Sequence, residues 1–215
     1  MFGRESVFCH YACRLFRKQN RAFRVCIATV LIVVFPLQIS EGGTSLSWSE
    51  LPQIPNSVGV AGPFVGVHNN ALIIAGGANF QPPVWQSEKE WHDEIFVLVR
   101  SGNTYLWQET GTLPRPIAYG AAVSTSDGVV CMGGNDAETT LDQVFLMQWD
   151  AAQKKVRLVD YPSLPESCAF GSAVVVDNVI YLAGGQSGQS LTTAMTNFWS
   201  LNLSKRHQPD EFVWE

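Results

Sequence analysis

Short apolar runs separated by turn-forming residues dominate this chain from residue 60 onward. In the stretch 169–185, two apolar runs flank the pair Asp177-Asn178. This arrangement predicts a β-hairpin, because both turn residues tolerate positive φ. Apolar runs at 198–203 and 212–215 would supply a third and a fourth strand. No segment shows a sustained helical period, so the pattern predicts an antiparallel sheet of consecutive strands.

The same four-run unit occurs three times along the chain. Its marker is an apolar run that ends in a Gly-Gly pair, and the pairs begin at Gly76, Gly133 and Gly184, at spacings of 57 and 51 residues. A repeat near about 50 residues with four strands is typical of a kelch-type β-propeller blade. The predicted blades cover about 60–108, 117–159 and 168–215.

Three blades are fewer than the roughly four to eight that close a propeller ring. Trp48 precedes the first unit and is predicted to lie on one strand of a further, closing blade. The predicted fold is therefore all-β: a kelch-type propeller with three four-stranded blades, one strand of a closing blade and an incomplete ring. We expect the chain to be an amino-terminal piece of a larger propeller.

Leu-Pro pairs separate the units, at 51–52, 113–114 and 164–165. Proline cannot donate a hydrogen bond to a sheet, so each pair is predicted to end an outer strand. The chain would then return toward the propeller axis.

Residues 1–43 differ from the rest of the chain. They hold six of the 14 Lys and Arg residues, followed by an apolar run at 25–39. A basic flank and an apolar run of this length predict a secretory signal peptide or short leader. An uncleaved anchor is the alternative, although a membrane span needs about 20 apolar residues. We expect a periplasmic or secreted protein with no stable membrane span after cleavage, and a partial propeller at 44–215.

Charge and cysteine content exclude several classes of function. From residue 44 onward, 8 Lys and Arg face 17 Asp and Glu, a balance that excludes a nucleic-acid partner. Cys131 lies in a strand-like run and is predicted to be a small buried hydrophobic residue, while a disulfide to Cys168 stays open. No spacing of His, Cys or Asp indicates a metal site, and no phosphate-binding loop occurs. We expect no cofactor.

The phrases between the glycines are more specific than a general kelch pattern. They lie at 60–80, 91–98, 118–136 and 144–150, and they begin VAGPFVGVHNN, WHDEIFVL, AYGAAVSTSDG and VFLMQWD. Together they resemble the cyclically permuted mutarotase family, whose kelch propellers are similar to bacterial N-acetylneuraminate (sialic acid) epimerases. The resemblance implies an isomerase that interconverts the anomers of a small sugar acid outside the cytoplasm. A homo-oligomer is possible.

The chemistry implied by this resemblance requires few groups. A base takes the proton of the anomeric hydroxyl while an acid protonates the ring oxygen, and one carboxylate can do both. An arginine would hold the carboxylate of the sugar. In the related non-permuted enzymes, the resemblance implies, the glutamate and the arginine lie in a Gly-Glu…Arg segment that has no match in this sequence. The catalytic residues stay unknown, and we expect the piece alone to be inactive.

A non-catalytic kelch module that binds a glycan or a protein is the alternative to an enzyme. The two hypotheses share a fold, and a fold alone does not decide function.

An insertion at 78–94 distinguishes the first unit from the others and carries Trp85 and Trp91. Long loops on a rigid scaffold often carry function, and aromatic residues at a channel mouth suit a sugar. The alternative is a loop tucked against its neighbour, with both tryptophans as anchors.

Six residues are candidates for substrate binding: Asn79, Phe80, His92, Arg115, Tyr119 and Asn135. Arg115 follows a Leu-Pro pair and would meet a substrate carboxylate, or else form hydrogen bonds between blades. Asn79, Asn135 and Gln186 lie just after the Gly-Gly pairs. They would bond a neighbouring turn or contact sugar hydroxyls.

Tyr119, Phe170 and Phe64 occupy what the sequence indicates are equivalent positions before the inner strands. Core packing is expected for the two phenylalanines, while Tyr119 would present its hydroxyl inward.

Overall fold

Three antiparallel sheets make up the computed structural model, which describes residues 46–215. Blade 1 contains β1 (Phe64–His68), β2 (Ala71–Phe80), β3 (Lys89–Ser101) and β4 (Thr104–Thr112). Blade 2 contains β5 (Ala121–Thr125), β6 (Gly128–Met132), β7 (Val144–Asp150) and β8 (Lys155–Tyr161). Blade 3 contains β9 (Ser172–Val176), β10 (Val179–Ala183) and β11 (Phe198–Asn202). The predicted leader at 1–43 lies outside the described residues.

The described helices are three short 3₁₀ turns, at Val84–Gln86, Leu191–Thr193 and Leu203–Lys205. The all-β prediction is therefore confirmed. Within residues 46–215, no helix is long and apolar enough to cross a membrane.

Each blade is a meander in which consecutive strands pair. The turns Asn69-Asn70 and Asp177-Asn178 have φ between 46° and 67° at all four positions. Two positive φ values give the type I′ twist that matches paired strands, which explains why Asn and Asp stand there. The predicted hairpins are confirmed, and the three sheets within the described residues do not close a ring.

The fourth run of blade 3, at 212–215, pairs with β11 at one position. Ser200 and Glu215 exchange both backbone hydrogen bonds, at 2.8 and 3.0 Å. The preceding residues form a turn instead, in which the Phe212 N–H donates to the Gln208 carbonyl at 2.9 Å. The segment thus lies where a fourth strand would, but the turn leaves only its last residues free to pair.

Residues 46–60 contain no strand, which differs from the prediction at Trp48. Trp48 is 91% exposed. Within the described residues, no backbone group at 46–55 hydrogen-bonds to another backbone group. A strand forms only against a partner backbone, so this segment stays irregular.

Two apolar cores hold the blades together. One lies between blades 1 and 2, where Phe64 meets Phe145 edge to face at a centroid distance of 5.5 Å. The other lies between blades 2 and 3 and includes Ile180 and Leu201. Cys131 belongs to the first core and Cys168 to the second, and both are free thiols. Cys131 is a small buried hydrophobic residue, as predicted.

The Gly-Gly pairs connect each blade to the following one through main-chain hydrogen bonds. The second glycine of a pair donates its N–H to the segment leading into the following blade: Gly77 to the Ile117 carbonyl and Gly134 to the Cys168 carbonyl, both at 2.8 Å. The first glycine has φ of 68° at Gly76 and 59° at Gly133. Any Cβ at Gly133 would lie 2.0 Å from the Cys168 carbonyl oxygen. Glycine repeats here because the neighbouring backbone occupies the space of a side chain.

The Leu-Pro pairs fix the returning chain. The Leu113 N–H donates to the Asp93 carbonyl at 2.7 Å, and the Leu164 N–H donates to the Asp142 carbonyl at 2.8 Å. Both leucine side chains are buried. These two pairs therefore end the outer strand and dock the next connector, as predicted. The prediction is wrong for Leu51-Pro52, because no strand precedes this pair within the described residues and Leu51 is 50% exposed.

Candidate functional site

One end of the three sheets carries the longer loops and is called the loop end here. At this end β1, β5 and β9 begin, and β2 and β6 finish. The opposite end, called the turn end, carries the two-residue turns between those strands. Most of the candidate residues lie at the loop end.

Three residues occupy the same place in the three blades, two residues before the first strand: Gly62, Tyr119 and Phe170. We call this the lead-in position. Their φ values are 63°, 63° and 59°. The Tyr119 N–H donates to the Gly62 carbonyl, and the Phe170 N–H donates to the Tyr119 carbonyl, both at 2.7 Å. A chain of backbone hydrogen bonds thus links the blades at the loop end.

This geometry corrects the equivalence drawn from the sequence. The residue that matches Tyr119 and Phe170 is Gly62, whereas Phe64 lies two residues later in β1 and is fully buried in the core. Core packing is right for Phe64 and wrong for Phe170, which is 50% exposed. The shift arises because blade 1 has Gly-Pro where the other blades have an aromatic residue followed by glycine.

Tyr119 and Phe170 are bulky residues held in the left-handed region, where non-glycine residues are uncommon. Such a conformation costs on the order of 1–3 kcal/mol and persists only where its surroundings impose it. Here the inter-blade hydrogen bonds at 2.7 Å impose it. Strain of this kind clusters at ligand sites, and it directs attention to the two aromatic rings.

The two rings stack and extend into a larger group. The ring centroids of Tyr119 and Phe170 are 4.8 Å apart at an interplanar angle of 26°. Trp91 meets Tyr119 edge to face at 5.8 Å. We call Phe80, Trp91, Tyr119 and Phe170 the aromatic cluster. It spans all three blades and offers a partly exposed apolar surface of the kind that lines ligand sites.

Lys89 supplies a positive charge to this cluster. Its Nζ lies 5.8, 5.1 and 4.9 Å from the ring centroids of Phe80, Trp91 and Tyr119. These distances fall within the roughly 6 Å reach of a cation–π interaction.

The insertion that sequence reasoning singled out forms an extension of the β2–β3 hairpin. Past a bulge between Ala75 and Gly77, the strands pair again as far as Phe80 and Lys89. Trp85 at the tip is 89% exposed, so it does not anchor the loop against a neighbour. Trp91 does pack, against Tyr119. The extension thereby delivers Phe80, Lys89 and Trp91 to the loop end.

Asn79 and His92 lie on the other face of this extension, because side chains alternate along a strand. Asn79 Nδ2 donates to the Gly59 carbonyl at 2.7 Å and so holds the segment before blade 1. His92 Nδ1 lies 3.4 Å from Glu94 Oε2. The structure therefore brings Phe80 and Tyr119 together but does not bring Asn79 or His92 to them.

Arg115 and Asn135 occupy blade 2 beside the lead-in position. Arg115 Nη1 lies 3.3 Å from Asp136 Oδ2, so its charge already has a partner. Asn135 is 5% exposed and exchanges two backbone hydrogen bonds with Ala118, at 2.9 and 3.0 Å. Its Oδ1 has no hydrogen-bond partner within the described residues.

The three amides after the Gly-Gly pairs are not equivalent. Asn135 and Gln186 directly follow their pairs and bridge to Ala118 and Ala169. In blade 1 the residue with that bridge is Ala78, and Asn79 comes one position later. The three side chains therefore do not form a ring of equivalent amides.

Sequence reasoning did not assign Lys89 or Phe170 to a site. Two features of the sequence point to these residues. Lys89 and Trp91 alternate along one strand and so share a face, and Phe170 belongs to an aromatic-glycine pair at 170–171 that repeats the pair at 119–120. What could not be read from it was that residues of one blade contact the lead-in residue of the next.

At the turn end, an open cleft of about 830 Å³ lies between blades 1 and 2. His68 lines it and accepts the Trp149 backbone N–H on Nδ1 at 2.9 Å. Burial lowers the pKa of His68 below 6.5, which favours the neutral ring that this hydrogen bond requires. Among the described residues that line the cleft, the aromatic side chains His68 and Trp149 are both buried, so they offer no exposed ring face.

Burial also raises the pKa of the Cys131 thiol well above its usual value, and burial raises the pKa of Cys168.

Among residues 46–215, no group of three or more His, Cys, Asp or Glu side chains is placed to hold a metal ion. The chemistry offered at the loop end is aromatic stacking together with lysine and arginine charge.

Comparison with known proteins identifies the family. The family model described as N-acetylneuraminate epimerase matches residues 37–156, and a Kelch motif matches residues 167–207. The solved structure of YjhT shares the fold with a TM-score of 0.55 at 19% identity, over 74% of this chain and 47% of that one. The motif and the shared fold confirm the predicted kelch-type propeller.

Curated relatives agree with the family match. N-acetylneuraminate epimerase from Yersinia enterocolitica is 32% identical over 114 residues, which cover 45% of this chain and 28% of the relative. The Brucella suis protein of that name is 33% identical over 117 residues (47% and 29%). The Yersinia pestis protein is 28% identical over 130 residues (52% and 32%). The chain thus spans about a third or less of the length of these relatives.

The match at 37–156 covers more than half of the 215 residues. The chain belongs to the N-acetylneuraminate epimerase family, as the resemblance in its sequence predicted.

Proposed function

We propose that this protein is a sialic acid mutarotase-like kelch protein that binds N-acetylneuraminate at the aromatic cluster and serves the interconversion of its anomers. Family membership and the names of the relatives support the substrate and the reaction. The basic flank and apolar run before residue 40 support a periplasmic or secreted location.

The observation that carries the proposal is the stacked pair of Tyr119 and Phe170. Both rings are held by strained backbone, and the stack remains partly open at the loop end. A sugar ring has an apolar face of C–H groups that packs on an aromatic face, while its hydroxyls stay hydrated. Pre-ordered rings bind such a ligand with little further loss of conformational entropy.

The reaction itself is a proton transfer. The anomeric hydroxyl loses a proton, the ring oxygen gains one, and the opened ketone rotates before the ring closes on its other face. The aromatic cluster contributes binding and orientation of the sugar to this sequence. A suitably placed carboxylate or an equivalent acid–base group has to contribute the proton transfer.

Two measurements test the proposal on a purified full-length protein that contains this chain, because the catalytic glutamate and arginine segment has no match in these residues. Ligand-observed NMR should detect N-acetylneuraminate binding, and one-dimensional spectra should show faster equilibration of freshly released sugar than in its absence. Binding without acceleration would favour the non-catalytic module. No binding and no acceleration together would refute the proposal.

A substitution at the lead-in position tests the place of binding. Phe170→Gly is suitable because Gly62 shows that this backbone accepts glycine. Loss of the exposed ring should weaken sugar binding. The free energy of unfolding should change little, because relief of backbone strain offsets the lost stacking on Tyr119, which is worth about 0.5–1.5 kcal/mol. Phe198→Ala is the control, because Phe198 is exposed and stacks on Tyr181, a residue outside the aromatic cluster, at a centroid distance of 5.7 Å. Equal sugar affinity in both variants would remove the aromatic cluster from the binding site.

A further inference from the structure

Lys89 has no carboxylate partner within residues 46–215. The adjacent Glu90 lies on the opposite face of the extension, where its Oε2 accepts a hydrogen bond from Gln81 Nε2 at 2.7 Å. Lys89 shares its face with Trp91 instead. Lys89 is exposed, and the contacts of its ammonium group with the described residues are three ring faces.

A lysine in this setting keeps its capacity to bind an anion. Ring faces attract the charge but accept hydrogen bonds only weakly, so the three N–H donors remain available for stronger acceptors. The three rings also restrict where Nζ can lie, which lowers the entropy cost of fixing a long side chain on a ligand. The acidic balance of the chain beyond residue 43 makes such a local positive charge necessary for an anionic ligand.

Arg115 is less suited to the same task. Its guanidinium lies 3.3 Å from the carboxylate of Asp136, and Asp136 Oδ1 in turn accepts the backbone N–H groups of Glu138 and Thr139 at 2.9 Å. A ligand carboxylate would have to compete with an anion that the loop already holds in place. Lys89 requires no such exchange.

We propose that Lys89 binds the carboxylate of the sugar acid while Tyr119 and Phe170 carry its ring, which makes Lys89 the residue that selects acidic over neutral sugars. This inference rests on the proposed function. The cation and the stacked rings meet at Tyr119, whose ring centroid lies 4.9 Å from Lys89 Nζ and 4.8 Å from the Phe170 centroid. A ligand with an anionic group next to an apolar ring face fits both elements at once.

Binding of N-acetylneuraminate and of its methyl ester, measured by titration calorimetry, separates the charge of the ligand from its shape. The wild-type chain should prefer the free acid. Lys89→Met should weaken binding of the free acid by about tenfold to a hundredfold, the effect of losing a hydrogen bond to a charged group. The ester should be nearly unaffected by that substitution. Lys89→Arg should retain the preference, and Lys155→Met, at the turn end, should change nothing.

Each other outcome refutes a defined statement. If Lys89→Met weakens binding of the acid and of the ester equally, or weakens binding of neither, Lys89 does not bind the carboxylate. If the wild-type chain binds both ligands equally well, the selectivity is absent while sugar binding at the cluster stands. If the wild-type chain binds neither ligand, the proposed function fails together with this inference. Near-UV circular dichroism of Lys89→Met should match the wild type, which shows that the aromatic cluster is intact.

Discussion

Substitution of Gly133 tests the explanation of the Gly-Gly pairs directly. In Gly133→Ala the new Cβ would lie 2.0 Å from the Cys168 carbonyl oxygen, which accepts the N–H of Gly134 at 2.8 Å. Gly184 is the matched control, because its φ of 64° is close to the 59° of Gly133. Within the described residues, no atom lies within 4 Å of a Cβ placed at Gly184.

The expected magnitudes follow from this difference in surroundings. Both variants place a side chain in the left-handed region, at a shared cost of about 1–2 kcal/mol. Only Gly133→Ala must also displace the connector of blade 3, at about 1–3 kcal/mol for overpacking. Disturbing the buried inter-blade hydrogen bond adds about 1–3 kcal/mol. Gly133→Ala should therefore be less stable than Gly184→Ala by roughly 2–6 kcal/mol.

Urea unfolding followed by tryptophan fluorescence measures both free energies on the same protein. A difference of this size is a large part of the total stability of a domain, about 5–15 kcal/mol, so it should be plain in the midpoint. Gly76→Ala provides a repeat of the experiment at the first interface, where the distance to the Ile117 oxygen is 2.3 Å. Equal destabilisation of Gly133→Ala and Gly184→Ala would refute the steric explanation and leave only backbone conformation.

Three further predictions concern buried groups. Burial lowers the pKa of His68 in the folded protein. Neutral His68 therefore contributes to the free energy of unfolding above pH about 6.5, and this contribution is lost as the pH falls through the lowered pKa of the folded state. Urea unfolding between pH 7 and 5 should show a smaller loss of stability in His68→Gln than in the wild type. An equal dependence of the free energy of unfolding on pH in both proteins would contradict this. Cys131 and Cys168 should resist iodoacetamide at pH 8 in the folded protein and react after unfolding, as read by peptide mass spectrometry; labelling in the folded state would count against their burial. Phe64→Ala should cost about 3–5 kcal/mol and Phe198→Ala, at an exposed site, far less, and similar unfolding midpoints would contradict the assigned core.

The blades were predictable because their signals are local. Turn residues such as Asp177-Asn178, the apolar runs around them and the repeated Gly-Gly pairs each act over a few residues. The family was predictable from the phrases between the glycines. Both depend on which residues follow one another along the chain.

The candidate site was only partly predictable because it forms across blades. Phe80 and Tyr119 were identified from the sequence, but Lys89 joins them through contacts between an extension of blade 1 and the lead-in residue of blade 2. The sequence also did not show which residue of blade 1 occupies the lead-in position. A Gly-Pro pair in blade 1 replaces the aromatic-glycine pair of the other blades, so alignment by aromatic residues selects Phe64 instead of Gly62.

The lead-in position has a consequence for how such a protein changes in evolution. Its three occupants, Gly62, Tyr119 and Phe170, share one backbone conformation, and main-chain hydrogen bonds join each of them to the next. In blades 2 and 3 the occupant is hydroxylated or purely apolar while the main-chain connection stays the same, whereas blade 1 requires glycine, because a Cβ at Gly62 would clash with the Tyr119 ring. Blades 2 and 3 thus each offer one position where a single codon change can alter ligand preference while the main-chain link between the blades is kept.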